Sequence, residues 1–143
     1  MFKNVMVPVD LNHLEQLGKA IELAAMHTKH GGGSLHLVHV GAAEPGQYGK
    51  ISADRLQQLE NFSAEVATRF HVPVNPQALA SDEQATDLDE LLLIAVDLTK
   101  ADLVVVASHV PTFGDFLTGS HGAHLAEHSQ VSVFVVREGK PIG

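Results

Sequence analysis

Short, continuous apolar runs alternate along this chain with segments whose apolar residues recur every three or four positions. Val5, Met6 and Val7 form the first run, closed by Pro8 and Asp10, and predict a buried strand over Asn4–Val9. Leu14, Leu17, Ile21, Leu23, Ala24 and Ala25 then keep helical spacing, predicting a helix over 14–29 that Gly31-Gly-Gly33 ends. A strand over 35–40 follows. After a loop containing Pro45, Gly46 and Gly49, Ser52 is placed to cap a helix over 53–69. Its predicted buried face is Leu56, Leu59, Phe62, Val66 and Phe70.

The later half repeats the alternation. A strand over 72–79 contains Pro73 and Pro76, which cannot donate to a ladder and so place it at a sheet edge. A helix over 87–98 begins with Asp87 and Glu90 at capping-box spacing. Leu103–Ala107 is the clearest buried strand, followed by a glycine-containing loop, a helix over 120–128 and a last strand over 131–136. The order βαβαβαβαβ predicts a doubly wound, mostly parallel five-stranded sheet of Rossmann-like type, with helices on both faces. No repeat or linker interrupts it, so one domain over 1–143 is expected.

In such sheets ligands bind beyond the carboxyl ends of the strands, where the winding direction switches. That rule selects Pro8-Val9-Asp10, Val40-Gly41 and the stretch from Ser108 to Ser120. Asp10 suits two roles: accepting hydrogen bonds from a ribose diol, or capping the turn before the first helix. Gly119-Ser120 opens a helix, and its free amides, dipole and hydroxyl would hold an anion; a plain serine cap fits the same residues.

Charge and composition narrow the field. A net charge of −8 argues against a nucleic-acid partner but not against a small nucleotide held by backbone amides. Cysteine is absent, which excludes disulfides and thiol chemistry. No apolar run approaches the length of a membrane span or signal peptide, so a cytoplasmic location is expected. Gly49-Lys50 is followed by Ile51, not by the Ser or Thr of a phosphate-binding loop, and no catalytic constellation emerges. His121, His124 and His128 share one helical face, yet no Cys or fixed carboxylate completes a metal spacing. His36 and His39 point to opposite faces of their strand.

Val104-Val-Val-Ala-Ser-His109, Gly119-Ser120, Glu127-His128 and Val131-Ser-Val-Phe-Val-Val-Arg137 resemble the carboxyl-terminal signature of the universal stress proteins. Val7-Pro-Val-Asp10 and Leu37-Val-His-Val40 match the family's amino-terminal half. Ala107 and Val110 stand where the usual motif has glycines, and eight residues separate Val110 from Gly119. That shortened spacing resembles the UspF-like branch, whose members are associated with ATP binding.

The resemblance implies an adenine-nucleotide cleft, occupied by ATP or AMP with or without Mg²⁺. Pro8, Val9 and Asp10 would lie near base and ribose, and the Val40 backbone at the adenine edge. Ala107, Ser108 and His109 would line the ribose and phosphate side, with Gly119, Ser120 and His121 holding phosphate oxygens. Asp10, Asp87 and Asp115, with no Lys or Arg recognised beside them, would repel a triphosphate unless Mg²⁺ bridges. The resemblance also implies a homodimer through Val131-Ser-Val-Phe-Val-Val136, whose apolar edge is a template for pairing unless the tail from Arg137 to Gly143 covers it. The implied role is stress-response signalling. The rival is a dimeric interaction protein of the same fold without nucleotide, for which Val110 and Ala85-Thr86-Asp87 are the best evidence.

Overall fold

The computed structural model describes residues 1–42, 51–81, 88–107 and 131–137. Five strands, β1 (Asn4–Val9), β2 (Ser34–Ala42), β3 (Val74–Ser81), β4 (Leu103–Ala107) and β5 (Ser132–Val136), form one sheet in the order β3-β2-β1-β4-β5. Every neighbouring pair is parallel. The chain winds outward from β1 through β2 to β3, then returns to β4 on the other side of β1. The switch in winding direction therefore lies between β1 and β4.

Three α-helices lie among the described residues: α1 (Gly18–Gly31), α2 (Ala53–Phe70) and α3 (Leu88–Thr99). Right-handed crossovers put α1 and α2 side by side on one face and α3 on the other. There the Thr99 hydroxyl bonds back to the Ala95 carbonyl at 2.7 Å and lies 3.9 Å from Met6 Sδ. With helices over both faces, the central strands have no solvent side. Val5, Met6, Val7 and Val9 of β1 and every residue of β4 from Leu103 to Ala107 are buried, which is why both strands run continuously apolar.

The predicted elements recur with local adjustments. Residues 14–16 form a 3-10 turn, and the α-helix proper starts at Gly18 and runs to Gly31. Gly32 ends it at φ 65°, with its own N–H and that of Gly33 donating to the carbonyls of Lys29 and Thr28. Ser52 caps α2 as expected, its hydroxyl accepting from the Arg55 N–H at 3.2 Å. Leu56 departs from the predicted face and is 40% exposed, while Ser63 takes a buried place between Leu59 and Val66. Among the described residues β3 pairs only with β2, so Pro73 and Pro76 do mark an edge. β5 pairs only with β4 among the described residues and forms the opposite edge; the tail expected as an alternative cover lies outside them beyond Arg137. The Asp87 cap and the helix predicted over 120–128 lie outside the described residues.

Candidate functional site

Asp10 follows the last residue of β1, the strand flanked by β2 and β4. It is 8% exposed. One carboxylate oxygen accepts the Asn12 N–H at 2.9 Å, and the Asp10 carbonyl accepts the His13 N–H at 3.0 Å. The other carboxylate oxygen lies 3.9 Å from His13 Nε2. The turn role foreseen for Asp10 is therefore real, and it leaves a buried carboxylate at the switch point.

The structure brings four more expected residues to this end of the sheet. Pro8 and Val9 are buried in β1, Val40 is half-buried in β2, and Ala107 closes β4. Ser108, His109, Gly119, Ser120 and His121 lie outside the described residues, as do Asp87 and Asp115.

Two residues that sequence reasoning did not assign to the site reach the end of β1 and its turn: His39 at Val9 and Arg55 at Asn12. His39 pairs in register with Val9 and donates from Nδ1 to the Val9 carbonyl at 3.2 Å. Burial chiefly lowers its pKa; the Val9 bond opposes that shift, the Arg55 charge adds to it, and the Asp10 charge opposes it. Gly41 makes room for the ring, since a Cβ there would come 2.9 Å from His39 Nε2. Arg55, in the first turn of α2, donates to Asn12 Oδ1 at 3.0 Å, and Gln58 donates to the Leu11 carbonyl at 3.4 Å. A cation thus stands where only acidic residues were expected. Its signal was the Ser52 cap: in a parallel α/β sheet, a helix that follows a strand begins at that strand's carboxyl end.

A separate hollow of about 240 Å³ lies between α1 and α2, lined by Leu14, Gly18, Ile21, Phe62 and Val66 among others. Among the described residues, no group of three metal-ligating side chains occurs and no helix is long and apolar enough to cross a membrane.

An all-parallel sheet in the order β3-β2-β1-β4-β5 with helices on both faces defines a doubly wound α/β protein, with Asp10 buried at its switch point. The family model of the universal stress protein family matches residues 1–137, and the chain belongs to that family. It is 27% identical over 144 residues to universal stress protein G of Salmonella typhimurium, covering 96% of this chain and all of that protein. Universal stress protein G of Escherichia coli O157:H7 is 28% identical over 145 residues, with the same coverage. Among solved structures, a universal stress protein in complex with cAMP superposes with a TM-score of 0.67 at 18% identity, covering 96% of this chain and 98% of that one. The Archaeoglobus fulgidus universal stress protein in complex with dAMP gives 0.64 at 12% identity, covering 93% and 96%.

Proposed function

We propose that this chain binds an adenine nucleotide, ATP or AMP with or without Mg²⁺, at the carboxyl ends of β1, β2 and β4. It would act as a cytoplasmic stress-response signalling homodimer of the UspF-like, nucleotide-binding branch. The observation that carries the reading is the buried Asp10 carboxylate at the switch point. Two of the structural neighbours hold adenine nucleotides with a single phosphate, which supports the ligand class.

In this reading Asp10 accepts the ribose hydroxyls while its turn keeps the carboxylate in place. The Val40 backbone meets the adenine edge. Ala107, Ser108 and His109 line the ribose and phosphate side, and Gly119, Ser120 and His121 hold phosphate oxygens. Nucleotide occupancy then alters a surface that a partner protein reads, without a catalytic step beyond slow, incidental hydrolysis.

The Asn12 N–H on Asp10 favours a second reading, in which Asp10 only shapes the turn and the protein is a dimeric interaction module without nucleotide. Thermal unfolding with AMP, ATP and Mg-ATP separates the two. Ligand at a hundredfold its Kd adds about 2.7 kcal/mol of stability. Asp10→Asn keeps an oxygen for the Asn12 N–H but removes the charge, and is expected to weaken nucleotide about tenfold or more. No stabilisation of the wild-type protein at millimolar nucleotide would leave the interaction module as the better reading.

A further inference from the structure

Arg55 is half-buried, and its two hydrogen-bond acceptors are neutral amides. Nη2 donates to Asn12 Oδ1 at 3.0 Å, and Nη1 lies 3.5 Å from Gln58 Oε1. Among the described residues no carboxylate lies within ion-pair distance of its guanidinium. A guanidinium carries its charge at every physiological pH and presents five N–H donors, so charge and donors remain for a ligand. In a protein of net charge −8, a cation with no carboxylate partner among the described residues is unusual.

Asn12 ties this cation to the carboxylate. Its side-chain oxygen accepts from Arg55, and its backbone N–H donates to Asp10. Both charges also act on the buried His39 ring, Arg55 opposing its protonation and Asp10 favouring it. A hydroxyl acceptor and an anion-binding fork therefore stand together at one end of the sheet. With one residue bridging them, they suit a ribose whose phosphate is attached directly to it, because the outer phosphates of an extended triphosphate would lie farther from the fork.

We propose that Arg55 is a further anion contact of the Asp10 cleft, in addition to Gly119, Ser120 and His121 of the proposed function, and that it selects adenosine bearing a ribose-linked phosphate over uncharged adenosine. The inference rests on the nucleotide reading of that cleft.

Calorimetric titration of AMP, cAMP and adenosine into the wild-type protein, Arg55→Gln and Arg55→Lys tests it, at low and high salt. Arg55→Gln should weaken AMP and cAMP about tenfold while adenosine stays within about twofold, and unchanged adenosine binding shows that the cleft is still folded. Arg55→Lys, which keeps the charge without the fork, should fall between. Salt should weaken AMP for the wild-type protein and do so less for Arg55→Gln. Equal losses of AMP and adenosine would overturn the proposal, reducing Arg55 to a residue that positions the loop through Asn12. Equal wild-type affinities for AMP and adenosine would overturn it too, with the cleft reading intact. A wild-type protein that binds none of the three would remove both.

Discussion

Replacing Asp102 with alanine should loosen the foundation on which the cleft is built. Its carboxylate accepts the Lys3 N–H at 2.8 Å and the Asn4 N–H at 3.0 Å, at the start of β1. Its own N–H donates to the Asn4 carbonyl at 2.9 Å, and its carbonyl accepts the Ser132 N–H at 3.1 Å, so one residue joins β1, β4 and β5. A hydrogen bond to a charged group contributes about 1.5–3 kcal/mol. The Lys3 bond is exposed, and water replaces most of it; the part-buried Asn4 bond keeps more of that value. The expected loss for Asp102→Ala is therefore about 2–3 kcal/mol, or a Tm lower by about 8 °C for a domain of this size. Asp102→Asn, which retains one acceptor oxygen, should lose about half as much.

Urea unfolding measures the change as a shift in midpoint at constant slope. Hydrogen exchange at Asn4 locates it. A loss below about 0.5 kcal/mol for Asp102→Ala, the level of an ordinary surface change, would refute the assignment of this carboxylate as a clamp.

Acid should destabilise the protein, because burial lowers the pKa of both His36 and His39 below 6.5. The unfolded chain then binds more protons, so the contribution is complete above pH 6.5 and is lost as pH falls through the folded values. Each proton adds at most about 1.4 kcal/mol per pH unit, and His39→Gln should flatten the decline in urea midpoints between about pH 7.5 and 5. Gly33→Ala should cost more than about 2 kcal/mol in the same assay, since its Cβ would collide with the Lys3 carbonyl that accepts the Ser34 N–H. Phe134 is 42% exposed on β5, which among the described residues pairs with β4 alone, so on the proposed dimer Phe134→Glu should shift sedimentation from dimer to monomer and lower Tm as the subunits separate. A monomeric wild-type protein would remove the dimer from the proposed function.

The strands were legible because central parallel strands are buried on both faces and have little freedom of composition. Asn4–Val9 and Leu103–Ala107 match their apolar runs residue for residue. Helix faces were less legible. Leu56 keeps the spacing of the α2 stripe yet is exposed, because it sits in the first turn, at the rim of the sheet. Ser63 shows the converse: a polar residue carried into the core by its position between Leu59 and Val66.

The cleft was legible only where its chemistry is local. Asp10 could be named because a strand ends there, and its turn could be foreseen from the same fact. Arg55 comes to Asn12 from 43 positions along the chain, and no short motif records that approach. The fold supplies the missing rule. When every helix runs antiparallel to the strands it connects, its first turn returns to the carboxyl end of the sheet, so the residues just after each N-cap belong to the candidate site. Applied to Ser52, that rule reaches Arg55 and changes the charge balance of the cleft. An all-acidic pocket would require a bridging cation before any phosphate could enter. Among the described residues a guanidinium within ion-pair distance of no carboxylate reaches the Asp10 turn through Asn12, so the proposed site holds a cation as well as acidic groups.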